Sequence, residues 1–195
     1  MHYRLLFKYN KLLKKNKLYY IIAGEASGDL HGSNLITSIR SLDSGIHFRG
    51  LGGPLMNQSG LASLASFNQL SVMGFVEIIK DLRFFIKLKK TIINDILISK
   101  PQKIILIDYP GFNLRIAKKI KFLFPRLPIY YYISPQIWAW KENRIKMIKK
   151  YIDKMIVIFE FEKNWYKDRG VNVAFVGHPF LDLYKPVNKL ELQSK

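Results

Sequence analysis

The sequence predicts an α/β domain, a Rossmann-like parallel sheet with helices on both faces, and three observations predict it. Short apolar runs at Tyr19 to Ile22, Lys103 to Ile107, Ile129 to Ile133, Lys154 to Phe159 and Val173 to Val176 alternate with segments whose apolar residues recur at helical spacing. The stretch YYIIAGEASGDLHGSN, Tyr19 to Asn34, reads as strand, glycine turn and helix. The chain has 195 residues, 49% hydrophobic and 24% charged, which suits one domain with a substantial core.

Residues 1–17 mix Leu5, Leu6, Phe7, Leu12 and Leu13 with five lysines, a basic amphipathic extension without a signal peptide's long apolar region and small-residue cleavage site. Tyr19 to Ile22 is the first strand. Gly24 to Asp29 turns into a helix bearing Leu30, Leu35, Ile36 and Ile39. The spacing is not G-x-G-x-x-G, so no dinucleotide fingerprint is present. Ile46 to Leu51 reads as a second strand, ended by Gly52-Gly53-Pro54 and a loop-rich region to Leu70. From Phe75 to Leu97 the apolar positions Val76, Ile79, Leu82, Phe85 and their neighbours form a stripe on one long or two consecutive helices.

Pro101 follows that helix, and Lys103 to Ile107 forms a buried strand ending at Asp108. Tyr109-Pro110-Gly111-Phe112 suits a type II turn. Helix (Asn113 to Phe122), strand (Ile129 to Ile133), aromatic loop (Ser134 to Trp140), helix (Lys141 to Tyr151), strand (Lys154 to Phe159), helix (Glu162 to Arg169) and strand (Val173 to Val176) follow. Such alternation implies right-handed crossovers. The expected boundaries are an extension at 1–17, the Rossmann-like domain at 18–183 and a tail at 184–195 after the exit motif Gly177 to Asp182.

The net charge of +18 favours anionic partners, whether a membrane face, a phosphorylated ligand or nucleic acid, although an AT-rich coding bias would also raise lysine content. No nucleic-acid motif accompanies the charge. Cysteine is absent, which removes disulfides and thiolate metal sites, and no apolar run reaches the roughly 18 residues of a membrane span. His31 and His178 are too isolated in sequence for a metal site, and no G-x-S-x-G or Walker A pattern occurs.

Glu25, Asp29 and Asp108 fall at or just beyond the carboxyl ends of strands, where open α/β folds bind ligands. Asp108 is the candidate general base, with turn capping as its plain alternative. Asp29 serves either the site or a helix cap. Trp138 and Trp140 offer a flat apolar surface to a sugar ring or acyl chain, or pack on the next helix, which is strongly basic.

GEASGD (Gly24 to Asp29), VMGFVE (Val72 to Glu77), IDYPGFN (Ile107 to Asn113), YYISPQIWAWKENR (Tyr131 to Arg144) and VGHPFLD (Val176 to Asp182) together resemble the amino-terminal half of lipid-A-disaccharide synthases. The resemblance implies the first domain of a two-domain, GT-B-type glycosyltransferase. Its substrates would be UDP-2,3-diacylglucosamine and lipid X (2,3-diacylglucosamine 1-phosphate). The reaction would invert the anomeric centre without a metal ion, a cofactor or a covalent intermediate. It implies Asp108 as the base and Glu25 as a second carboxylate needed for activity. Gly24, Ser27, Asp29, Asn113, Ser134 and Trp138 become candidates for substrate contact. Val76, Ile79, Leu82 and Phe85 become candidates for a membrane or acyl surface, on a protein peripheral to the cytoplasmic face of the inner membrane. The family's D-A-P-D-F-N pattern carries a second aspartate where Gly111 stands here. The half that holds most of the nucleotide-sugar site is also absent, so this chain alone is expected to be inactive unless a separate carboxyl-terminal half completes it. The competing expectation is a non-catalytic basic module that binds anionic lipid or glycolipid.

Overall fold

A computed structural model describes residues 17–64 and 82–183. VMGFVE, Val76, Ile79 and the side chain of Leu82 lie outside what is described, as do residues 1–16 and 184–195.

The chain builds β1 (Leu18–Ala23), α1 (Ala26–Leu42), β2 (His47–Leu51), α2 (Pro54–Gln58), β3 (Leu61–Ser63), α3 (Leu82–Ser99), β4 (Lys103–Ile107) and α4 (Pro110–Leu123). It continues with β5 (Ile129–Tyr132), a 3-10 turn at Glu142–Arg144, α5 (Ile145–Tyr151), β6 (Lys154–Val157), α6 (Glu160–Asp168), β7 (Val173–Phe175) and α7 (Phe180–Leu183). Seven parallel strands lie in the order β3-β2-β1-β4-β5-β6-β7. The order reverses between β1 and β4, where loops turning to opposite faces leave a crevice at the carboxyl edge.

The apolar runs of the central strands β1 and β4 build strands because both of their faces are covered. Tyr20 and Ile22 of β1, Ile104 and Leu106 of β4 and Tyr131 of β5 pack under helices α3 to α6. Ile21, Ala23, Ile105 and Ile107 face Ile36 of α1 and Met56 of α2. Each fully buried aliphatic side chain contributes about 1.5–3 kcal/mol, so β4, whose Ile104, Leu106 and Ile107 are wholly buried, is a rigid base for whatever follows it. A fork of Arg49 on Asp95, with N···O separations of 2.6 to 3.0 Å, ties β2 to α3.

Three expectations change. The segment from Gly52 onward, expected as a loop, contains α2 and β3, because a five-residue helix and a three-residue edge strand are too short to show a period in the sequence. No type II turn forms at Tyr109 to Phe112. Pro110 is the first residue of α4 and Tyr109 its left-handed N-cap at φ 47°, since proline, lacking an N–H, fits the first helical position as well as a turn. The helix expected from Lys141 begins instead as a 3-10 turn, after Lys141 itself takes a left-handed backbone at φ 59°. The exit segment turns into α7 after Gly177.

Candidate active site at the switch point

The crevice is built by the segments leaving β1 and β4. Gly24 leaves β1, and Glu25 is the N-cap residue of α1, its backbone extended and its side chain making no capping bond. The carboxylate is therefore not consumed by the helix it begins, and it stands half-buried at the crevice. A Cβ on Gly24 would lie 2.9 Å from the Tyr109 ring, so glycine is what lets the two segments approach. Ser27 is exposed in the first turn of α1.

Asp108 follows the last residue of β4, with Tyr109 beside it, and both have left-handed backbones, at φ 45° and 47°. Such conformations are costly for residues other than glycine and persist where the surroundings hold them. The holding groups are specific. The Asp108 N–H donates to the Tyr132 carbonyl at 3.2 Å. Its carbonyl accepts from Asn113 Nδ2 at 2.7 Å and from the Tyr131 hydroxyl at 2.5 Å. Asn113, fully buried in α4, also donates to the Ile107 carbonyl at 3.1 Å. Asn113 is thus occupied in aiming Asp108, a positioning role beside the substrate contact expected of it.

Burial pushes the Asp108 carboxyl up from its ordinary range, against the opposing pull of the Tyr109 N–H and of His31. Burial also raises Glu25, and the charge of Asp108 raises it further. The two carboxyls therefore sense one another across the crevice. His31, from α1, is pushed down by burial and by His178, while Asp108 opposes that shift. His31 and His178 both pack on the Phe180 ring, with centroids 6.1 and 4.9 Å away, which seats the exit segment beside α1. Isolation in the sequence concealed this meeting of the two histidines. Among the described residues, no group of three metal-ligating side chains forms.

Asp29 does not join Glu25 and Asp108. Its buried carboxylate turns to α2 and accepts the N–H groups of Gly53 at 2.9 Å, Leu55 at 3.0 Å and Met56 at 2.9 Å, capping a helix other than its own. The loop after β5 carries the next two candidates. Ser134 is buried and donates to Glu162 at 2.7 Å, and the Trp138 indole N–H reaches the same oxygen at 3.2 Å while the ring remains 39% exposed. Trp140, further out, lies under the Lys141 ammonium, 4.2 Å from its ring centre. Phe85 packs edge-on against Phe112, centroids 4.7 Å apart, so this part of the expected apolar surface is half turned inward. Sequence reasoning missed Tyr131, His31 and Glu162 as contributors. Nothing in local spacing marks them, because their partners lie 23 or more residues away along the chain.

A separate groove of about 530 Å³ lies between α1 and the half-buried face of β4 to β6, lined by Leu35, Ile39, Lys103, Tyr130, Tyr132 and Ile156. It holds neither Glu25 nor Asp108. The paired carboxylates and the switch point locate the chemistry better than cavity size does.

A family model described as lipid-A-disaccharide synthetase matches residues 19–195. The chain is 44% identical over 171 residues to a lipid-A-disaccharide synthase of Trichlorobacter lovleyi, a match covering 86% of this chain and 43% of that protein. It is 43% identical to that of Geobacter metallireducens, covering 88% and 44%, and 41% identical to that of Coxiella burnetii, covering 88% and 45%. The chain therefore spans less than half the length of the curated relatives it matches. With the match running from β1 through the exit segment, and so across the whole switch-point crevice, the chain belongs to the lipid-A-disaccharide synthase family.

Proposed function

We propose that this chain is the acceptor-side half of a glycosyltransferase that joins 2,3-diacylglucosamine from its UDP derivative to lipid X, forming a β-1,6-linked disaccharide and releasing UDP. The observation that carries this reading is the placement of Asp108 at the switch point, on a backbone fixed by Asn113, Tyr131 and Tyr132 and with a carboxyl raised by burial. A raised carboxyl is a stronger base while it remains ionised, which is what removal of a hydroxyl proton requires.

In the proposed step the Asp108 carboxylate takes the proton of the acceptor's 6-hydroxyl. The oxygen's electron pair forms the bond to the donor's anomeric carbon, and the bond from that carbon to the UDP oxygen breaks with its electrons, inverting the centre. No metal ion or covalent sugar intermediate is invoked. Glu25, facing the same crevice, adds a second carboxylate that can accept a sugar hydroxyl. Exposed Ser27 and the Trp138 ring are available to substrate at the surface, whereas Ser134 and Asn113 act by holding the walls.

The basic, aromatic-rich surface supports peripheral binding to an anionic membrane on its cytoplasmic side, and no described helix is long and apolar enough to cross one. The nucleotide-sugar half of such an enzyme lies outside these 195 residues. The test is turnover of UDP-2,3-diacylglucosamine and lipid X by the chain alone and with the carboxyl-terminal half of a relative. Product only in the mixture supports the reading. Absence of product from both, with both halves folded, supports a lipid-binding module without turnover.

A further inference from the structure

Glu162, in the first turn of α6, is the most deeply buried acidic side chain among the described residues, at 1% exposure. Burying a carboxylate is expensive unless hydrogen bonds compensate it. Here one oxygen, Oε1, accepts both the Ser134 hydroxyl and the Trp138 indole N–H, while Oε2 is buried without a partner. One turn later on the same face of α6, the Tyr166 hydroxyl donates to the Pro135 carbonyl at 3.1 Å. Phe161, the preceding residue, meets the Trp138 ring edge to face with centroids 5.0 Å apart. Helix α6 thus holds Ser134, Pro135 and Trp138, all in the loop that leaves β5 next to Asp108.

We infer that Glu162 is a positioning residue for the acceptor side of the crevice: its buried carboxylate fixes the rotamer of Trp138, so that the exposed face of the indole forms a rigid wall for an acylated sugar. The ligand class rests on the function proposed above; the positioning does not. An indole offers its polar N–H along one edge only, so a single acceptor behind the ring determines which face points outward. A charged acceptor makes that bond stronger than a neutral one would. Preorganising a flat aromatic wall removes the cost of ordering it when ligand binds.

The test uses the full chain, uniformly ¹⁵N-labelled. The indole signals of Trp138, Trp140 and Trp165 are assigned by single Trp→Phe variants, and hydrogen exchange at the Trp138 indole is compared with that of the Leu106 backbone amide, which reports global opening. Lipid X affinity is measured on the same samples. In Glu162→Ala the Trp138 indole is expected to exchange at least ten-fold faster relative to Leu106, with lipid X affinity at least five-fold weaker. Glu162→Gln, which keeps an acceptor oxygen, is expected to hold both within about three-fold of the parent. Should Glu162→Ala fail to fold, Glu162→Asp withdraws the acceptor by one methylene and is expected to shift the Trp138 signal and speed its exchange. Unchanged relative exchange of the Trp138 indole in the folded variant would overturn the inference. Failure of the parent itself to bind lipid X would instead count against the acceptor reading, and the exchange comparison would still decide whether Glu162 positions Trp138.

Discussion

Asn113 Nδ2 donates to the backbone carbonyl of Asp108 at 2.7 Å, across the first turn of the helix that Asp108 precedes. The bond places the candidate base and its support five positions apart in one motif, IDYPGFN, with the left-handed pair Asp108 and Tyr109 between strand and helix. Replacing Asn113 with Ala leaves the Asp108 carbonyl with the Tyr131 hydroxyl alone and empties a fully buried site. A loss of about 1–3 kcal/mol is expected from urea unfolding. In the complemented transferase assay, kcat is expected to fall at least ten-fold while the KM for lipid X changes by less than three-fold, because the residue aims the base and is not needed to bind the acceptor.

Asp108→Asn tests the cost of the base. A carboxyl whose value is raised by folding stabilises the protein when protonated. That advantage is present below the ordinary carboxylate value and is lost as pH rises through the raised value. Asparagine has no such loss and tolerates the left-handed backbone at φ 45°. Asp108→Asn is therefore expected to be more stable than the parent at pH 7 and close to it at pH 3.5, by urea midpoints. A stability difference that does not depend on pH would contradict burial as the origin of the shift. The same sign holds for Glu25→Gln, with a smaller effect because Glu25 is less enclosed.

Asp29 is expected to behave as a structural group. Asp29→Ala removes the acceptor for three backbone N–H groups at the start of α2, and loss of such a cap costs about 0.5–2 kcal/mol, with buried unpaired donors adding to it. A drop of about 2–3 kcal/mol in chemical unfolding is expected. Turnover per folded molecule in the complemented assay should remain within about three-fold of the parent. A large loss of turnover with unchanged stability would return Asp29 to the substrate.

Gly111 stands in the first turn of α4 with open space around the position a Cβ would take. Gly111→Ala is expected to stabilise by about 0.5–1 kcal/mol, through the helix preference of alanine and the reduced freedom of the unfolded chain. Gly111→Asp, which restores the aspartate of the family's pattern, is expected to gain a further few tenths from the helix dipole. Thermal unfolding of the two variants checks both values.

The central strands β1 and β4 are legible because burial on both faces makes them continuous apolar runs. The apolar run Lys103 to Ile107 coincides with β4 residue for residue, which fixes Asp108 at its carboxyl end. Glu25 was legible for the related reason that it follows a strand and interrupts a turn that has no need of a carboxylate. What the sequence concealed depends on distance along the chain. Asp29 caps a helix 25 residues away, Ser134 meets Glu162 at a separation of 28, and Tyr131 reaches back 23 residues to Asp108. Hydrogen bonds of that reach leave no periodic trace. The Pro110-Gly111 pair misled for a different reason, since proline serves the first position of a helix as readily as a turn.

The most direct measurement of the central claim is product formation from UDP-2,3-diacylglucosamine and lipid X by an equimolar mixture of this chain and a relative's carboxyl-terminal half, with the parent and Asp108→Asn run side by side. The account predicts disaccharide from the parent mixture, none from the chain alone, and at least a thousand-fold loss in Asp108→Asn with lipid X binding retained. Disaccharide formation by the Asp108→Asn mixture at a rate near the parent's would contradict it.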